Sequence, residues 1–152
     1  MAHVSILGGG TAVWSTPIQC EPDRYRANFE AHLVFRYTFE NGRQIHFKTH
    51  YSGIDDINGS GEAYAGTAYH KSVDQDGDEL WGDCIWNEED PFHDRFTYHG
   101  GTGKWEGASG RSRIHAWTQA TDKDQQLPAD RPIRYWGFLD GEGEIEHPSF
   151  TP

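Results

Sequence analysis

Residues 96–117 read FTYHGGTGKWEGASGRSRIHAW, and this stretch decides the fold. Two strand-like runs flank a segment that has glycine at positions 100, 101, 103, 107 and 110. Glycine suits a backbone that needs a positive φ, a bulge or a close approach to another segment. A strand that bends as a barrel closes needs those properties. We therefore interpret this stretch as the place where a β-sheet is bent.

A phosphate-binding loop is the competing interpretation of the same glycines. A Walker motif has two glycines with four residues between them, followed by Lys-Ser or Lys-Thr. The segment Gly-Gly-Thr-Gly-Lys-Trp lacks both this spacing and the residue after the lysine. Residues 111–119 also have the pattern of a strand, whereas a phosphate-binding loop would lead into an apolar helix. The sequence therefore favours a connection between strands.

The pattern Gly-Gly-Thr-Gly-Lys-Trp-x-Gly-Ala-x-Gly resembles the glycine-rich strand connection of the allene oxide cyclase-like barrels and the related dirigent proteins. The resemblance covers residues 96–117. It implies an eight-stranded antiparallel barrel. It also implies a cofactor-independent enzyme, in which a dry aromatic pocket holds a reactive intermediate and a few polar groups steer it.

The composition favours the same class of fold. The 152 residues include 18 glycines, 6 tryptophans, 7 tyrosines and 8 phenylalanines, and no long segment has a helical period. We expect one domain over residues 1–152, because this length can bury a proper core. The predicted fold is a single antiparallel closed β-barrel of about eight strands, since closure leaves no exposed strand edge.

The clearest hairpin turns at Glu-Asn-Gly, residues 40–42. A two-residue loop would set apolar residues opposite polar ones on the same face. A three-residue loop with a left-handed glycine instead pairs Tyr37 with Ile45 and Phe35 with Phe47. The sequence therefore predicts the bulged loop. It gathers a polar set on the other face: His32, Arg36, His46, Lys48 and His50.

A second hairpin turns within residues 75–78. If its loop has an odd number of residues, Tyr69 lies beside Asp83 and Gly66 lies beside Trp86. Elsewhere we expect interruptions at Gly-rich points, with separate runs before and after residues 8–10. The remaining expectations are a turn-rich crossing over residues 52–61, an acidic loop over 87–93, a loop over 120–131 and a last long strand over 133–139.

Charge and cysteine content restrict the partners and the compartment. The formal net charge is −11, so a nucleic-acid backbone or an anionic membrane would repel the protein, and we expect neither as a partner. Cys20 and Cys84 are the only cysteines. No basic and apolar leader precedes them, so we expect a cytoplasmic protein with free thiols and a buried Cys84.

The sequence gives no metal-ligand motif. An EF-hand loop that starts at Asp74 would need glycine at its sixth position and glutamate at its twelfth, so residues 74–78 predict an acidic turn. His46 and His50 share a strand face but lie about 13 Å apart. We therefore predict no metal and no cofactor, while histidines on different strands leave a metal site open.

Three residues are candidates for catalysis. Asp83 lies between Trp81 and Ile85 in strand parity, and a carboxyl group in apolar company would have a raised pKa and serve as acid or base. The same alternation allows Asp83 to point outward while Cys84 points inward. If Asp83 points inward, it is the group that moves a proton, and Tyr69 and His50 are the groups that polarise a substrate oxygen.

Candidate substrate-binding residues are mostly aromatic. They either line a pocket or belong to a filled core, and Arg36 either binds an oxygenated ligand or lies on an outward polar face. The set is Tyr37, Tyr51, Arg36, Trp86 and Trp117.

These features predict a cofactor-independent isomerase, cyclase or hydro-lyase that acts on a small, mostly apolar, oxygenated molecule in the barrel. The alternative is a calycin-like protein that binds the same kind of ligand without catalysis, and Gly-Lys-Trp at residues 103–105 has the Gly-x-Trp pattern of lipocalins at a different place in the chain. A filled barrel that serves only in assembly is the third option. Apolar residues on both strand faces favour a homodimer or homotrimer.

Overall fold

The computed structural model describes residues 1–90, 93–122 and 126–146. In these ranges the chain forms a closed, eight-stranded antiparallel β-barrel with one additional strand. The strands are β1 (Ala2–Trp14), β2 (Ile18–Glu21), β3 (Arg24–Phe39), β4 (Gln44–Asn58), β5 (Ala63–Asp74), β6 (Glu79–Trp86), β7 (His93–Gly101), β8 (Ser109–Ala120) and β9 (Ile133–Glu146). A 3-10 turn, Gly103–Trp105, precedes β8.

The barrel closes between the first and third strands. β3 to β9 pair in sequence order, β9 pairs with β1, and β1 pairs with β3. The short strand β2 extends the sheet beside the start of β3 and is not part of the closed ring. Within the described residues, no helix is long and apolar enough to cross a bilayer.

Both predicted hairpin registers are confirmed. Tyr37 lies opposite Ile45 and Phe35 lies opposite Phe47, as the three-residue loop requires. Gly42, in that loop, has a φ of 86°. In the second hairpin, Tyr69 lies opposite Asp83 and Gly66 lies opposite Trp86.

Several strands are longer than the sequence pattern predicts. The first strand continues through Gly8, Gly9 and Gly10, and β4 continues to Asn58, so the predicted crossing over residues 52–61 is wrong. The last strand likewise runs on to Glu146. Glycine here makes room for a neighbouring side chain instead of ending a strand, because a Cβ atom at Gly8 would overlap the ring of Phe35.

The glycine segment forms a bent strand connection, as its pattern predicts. The register of β6 against β7 shifts where Trp81 and Gly82 meet Gly100 and Tyr98, and Gly100 has a φ of 119°. This is a β-bulge, which bends one strand relative to its partner. After the bulge, the 3-10 turn directs Trp105 into one end of the barrel, where its side chain is fully buried and packs against Phe47.

Large side chains fill one end of the barrel, which we call the packed end. Strand alternation places every second residue of β3 on the inner face, and the last of them, Phe35, Tyr37 and Phe39, lie at this end. The residues with essentially no exposed surface at this end include Val4, Ile45, Leu80, Trp105 and Ile145. The packed end is therefore a conventional hydrophobic core, with Trp105 as its plug.

A charged cluster fixes the plug to the acidic turn. Lys104 Nζ lies 2.5 Å from a carboxylate oxygen of Asp74 and 2.7 Å from one of Asp78, and Trp105 Nε1 donates to Asp74 at 2.9 Å. Burial alone would raise the pKa of Asp74, but the hydrogen bonds from Lys104 and Trp105 lower it. The two motifs that the sequence presents separately, residues 74–78 and 103–105, thus form one structural unit.

The cysteines are as expected. Cys20 and Cys84 are both free, with Cys20 exposed and Cys84 buried on the inner face of β6.

Candidate active site

The opposite end of the barrel holds a cavity of about 540 Å³, and we call it the cavity end. Small residues on the inner faces of the strands make the space, among them Gly10, Ala12, Ala31, Ala116 and Gly137. Seven aromatic residues line it: Trp14, Phe29, Tyr51, Tyr64, Trp86, Trp117 and Tyr135. A cavity of this size and lining is suited to a small, mostly apolar ligand.

Asp55 is the most deeply buried acid of the cavity wall. Strand alternation from Tyr51 through Gly53 places Asp55 on the inner face of β4, where only 3% of its surface is exposed. Its Oδ2 accepts a hydrogen bond from Trp14 Nε1 at 2.6 Å. Its Oδ1 is also buried and has no hydrogen-bond partner among the described residues.

This environment favours the protonated form of Asp55. Burial is the main cause and raises the pKa to about 8, and the nearby negative charge of Asp94 acts in the same direction. The hydrogen bond from Trp14 and a weaker contribution from the indole of Trp86 favour the carboxylate, but together they do not offset the burial. Asp55 therefore keeps its proton at neutral pH.

Asp94 supplies a second carboxyl group to the same cavity. It lies near the start of β7, two residues before the inward-facing Phe96, and it lines the cavity wall. Its side chain is partly buried, and this burial raises its pKa to about 7. Because the charge on Asp94 opposes ionisation of Asp55, the two groups titrate as a coupled pair, with Asp94 losing its proton first.

Two further interior groups carry unused hydrogen-bonding capacity. The hydroxyl of Tyr51 and both ring nitrogens of His70 are buried without a partner in the described part of the chain. His70 lies opposite Tyr51 on β5, with the two ring centroids 6.3 Å apart. Burial lowers the pKa of His70 to about 4, so its ring is neutral at physiological pH. Unsatisfied buried groups of this kind are rare and call for an explanation.

Three of the predicted binding residues lie inside the barrel, and one borders the cavity. Tyr51 and Trp86 line the cavity, whereas Tyr37 lies deeper, where its hydroxyl is 2.8 Å from that of Tyr98. Trp117 borders the cavity and is 59% exposed.

The other predicted site residues lie on the outer face of the barrel. Asp83 points outward and is within 2.8 Å of His99 Nε2, Tyr69 is 78% exposed, and His50 and Arg36 are exposed as well. Strand alternation explains this result. Since Cys84 and Trp86 point inward, Asp83 must point outward, which is the other orientation that the sequence allowed.

Sequence reasoning missed the two interior acids, although a signal was present. The confirmed register of the first hairpin fixes Ile45, Phe47 and Tyr51 on the inner face, and continuing the alternation reaches Asp55. Because a turn-rich crossing was expected from residue 52, the strand alternation was not extended to Asp55. Asp94 follows from Phe96 by the same rule.

Comparisons with family models and with curated proteins identify no relative. No family model matches the chain, and a search of curated proteins finds no similar sequence. The geometry of the cavity therefore carries the functional argument.

Proposed function

We propose that the protein is a cofactor-independent enzyme of the isomerase, cyclase or hydro-lyase type. Its substrate is a small, mostly apolar, oxygenated molecule held in the cavity. The observation that carries this proposal is the pair Asp55 and Asp94, two carboxyl groups of raised pKa in an aromatic cavity. The resemblance of residues 96–117 to the allene oxide cyclase-like barrels supports the same class.

The two acids have complementary roles at neutral pH. Asp94, with a pKa of about 7, is ionised in about half of the molecules at neutral pH, and in that form it accepts a proton from carbon or from water. Asp55, with a pKa of about 8, is mostly protonated and donates to a substrate oxygen. One proton is taken up and one is delivered, so isomerisation, cyclisation or exchange of water balances without an oxidant or a reductant.

The neighbouring groups orient the acid and the substrate. Trp14 holds Oδ2 of Asp55, and the buried Oδ1 accepts no hydrogen bond from the described residues, so it is the oxygen that we assign to a ligand. The free hydroxyl of Tyr51 is available to a substrate oxygen. Trp14 packs against Tyr135 with ring centroids 4.9 Å apart, and Phe29 packs against Trp86 at 5.7 Å. Rigid aromatic walls restrict the conformations of a bound molecule and exclude water.

A non-catalytic binding protein is the second candidate. The free atoms of Tyr51 and Asp55 would serve a ligand's hydrogen-bonding groups equally well without any proton transfer. Only a measurement of turnover separates the two functions.

Proton exchange tests the proposal without a known substrate. A panel of ligand-sized cyclic ketones, epoxides and allylic alcohols is incubated with the protein in D₂O and followed by NMR for deuterium uptake or rearrangement. We expect at least one compound to react, and Asp94→Asn and Asp55→Asn to slow it by about 10²- to 10⁴-fold, the usual contribution of general acid–base catalysis.

Asp83→Asn is the matched control, because it removes a carboxylate from the outer face of the barrel. It should leave the rate unchanged. If panel compounds bind but none exchanges or reacts, the protein is a binder. If the rates of Asp55→Asn and Asp94→Asn equal that of the wild type, the assigned roles are wrong.

A further inference from the structure

Two histidines face each other on the outer surface of the barrel. His32 on β3 and His50 on β4 are directly opposite in the sheet register. Their rings are stacked, with centroids 4.7 Å apart and planes within 3° of parallel. Both side chains are exposed, so an ion from solvent can reach them.

A carboxylate completes the group. Glu30 lies two residues before His32 on the same face of β3, and its Oε1 is 3.5 Å from His50 Nε2. One ligand atom from each of Glu30, His32 and His50 lies within 4.8 Å of the other two. Ligands around one zinc ion, with bonds near 2 Å, are separated by about 3.3 Å. Small side-chain rotations therefore bring all three donors to one ion.

We propose that Glu30, His32 and His50 form a binding site for a divalent transition-metal ion, with zinc as the best fit. Two imidazoles and one carboxylate are a donor set that binds zinc and leaves a position for water. The donors come from two paired strands of a rigid barrel, so little conformational freedom is lost on binding. The net charge of −11 also favours the approach of a cation.

The immediate surroundings tolerate a cation. On the neighbouring strands, Thr11 lies opposite His32 and Lys71 lies opposite His50. The ammonium group of Lys71 is directed to Glu79, at 2.8 Å. The positive charge directly opposite His50 in the sheet is thus already paired with a carboxylate.

The site is independent of the proposed enzyme function. Inner-face neighbours such as Leu33, Thr49 and Tyr51 separate it from the barrel interior. A bound ion would tie β3 to β4 and stabilise the folded state by mass action.

The test is titration of the metal-free protein with zinc sulfate by calorimetry and with cobalt chloride by visible absorption. We expect one ion per chain and a zinc-dependent rise in melting temperature. The cobalt protein should show the visible d–d absorption bands of an ion held by nitrogen and oxygen ligands. His32→Ala and His50→Ala should each weaken zinc binding by about 100-fold, and Glu30→Gln by about 10-fold. All three residues are exposed, so circular dichroism should confirm that these variants fold.

His46→Ala is the matched control, because His46 is exposed on the same face of β4 and is four residues from His50. It should bind zinc as the wild type does. The proposal is overturned if the wild type takes up no zinc at 100 µM, or if His32→Ala and His50→Ala bind as tightly as His46→Ala. Either result leaves the deuterium-exchange test of the cavity unaffected.

Discussion

At the packed end of the barrel, Asp74 accepts hydrogen bonds from Lys104, Trp105 and the backbone of the acidic turn, and its pKa is lowered. At the cavity end, Asp55 accepts one hydrogen bond, from Trp14, and its pKa is raised to about 8. Both carboxyl groups lie inside the barrel. A carboxylate whose two oxygens both accept hydrogen bonds stabilises the fold. A carboxyl group with one oxygen left without a hydrogen bond can instead bind a ligand or exchange a proton with it.

Side-chain size differs between the two ends in the same way. Trp105 and its neighbours fill the packed end, whereas Gly10, Ala31 and Ala116 leave the cavity end open. Stability is therefore concentrated at one end, and the capacity to bind at the other. Four measurements test this difference.

Replacing a tryptophan by alanine should lower the free energy of unfolding more at the packed end than at the cavity end. Trp105→Ala deletes a side chain with no exposed surface and a hydrogen bond to Asp74, and should lower the free energy of unfolding by about 4 kcal/mol. Trp86→Ala enlarges an existing cavity and should lower the free energy of unfolding by less, about 3 kcal/mol. Denaturant unfolding measures both. Equal losses would mean that the two ends are packed alike.

The pH dependence of stability should have opposite signs at the two ends. An unfolded aspartate has a pKa of about 3.9. Between pH 5 and 9 the folded protein must ionise Asp55 and Asp94 against their raised pKa values, so the wild type loses stability as the pH rises. Asp55→Asn should remove much of this loss and be more stable than the wild type at pH 9 by roughly 2–4 kcal/mol.

Asp74→Asn provides the contrast in the same experiment. The lowered pKa of Asp74 stabilises the fold above pH 4, and that contribution disappears as the pH falls through the folded-state pKa. Asp74→Asn should be less stable than the wild type at pH 7, with the difference shrinking in acid. Thermal unfolding between pH 3 and 9 measures these slopes, and parallel profiles for the two variants would contradict the assignment.

Added volume should be tolerated only at the cavity end. Ala108→Leu forces a larger side chain into the packed end, where Ala108 is buried, and should cost about 1–3 kcal/mol. Ala31→Leu extends into the cavity, so it should leave stability nearly unchanged while it blocks ligand entry. Unfolding and a fluorescent apolar probe measure the two effects. A large destabilisation by Ala31→Leu would mean that the cavity cannot hold a guest.

Loss of a hydroxyl should give the smallest difference. Tyr98→Phe breaks bonds to Tyr37 and Ser112, both at 2.8 Å, and should cost about 1–2 kcal/mol. Tyr51→Phe removes a hydroxyl that has no partner in the described residues, so stability should not fall. Its effect should appear in ligand binding or turnover. A stability loss in Tyr51→Phe as large as that in Tyr98→Phe would show that the Tyr51 hydroxyl has a structural role.

The resemblance to allene oxide cyclase-like barrels and the assignment of the reaction class remain predictions. The fold class and both hairpin registers are confirmed, because they follow from local rules: Gly42 fixes a loop, and alternation then fixes each pairing near it. The site was not found in this way, because Asp55 and Asp94 are 39 positions apart in the printed sequence and become neighbours only when the barrel closes.

The sequence by itself determined that the chain forms antiparallel hairpins with aromatic inner faces, since turn chemistry and strand alternation act over a few residues. The tertiary structure alone decided which acids are inside. Closure of β1 on β3 set the size of the interior, Trp105 filled one end of it, and the residues left facing the unfilled end became the candidate site. It also decided that His32 and His50 meet on the outside, because only pairing across strands brings them together.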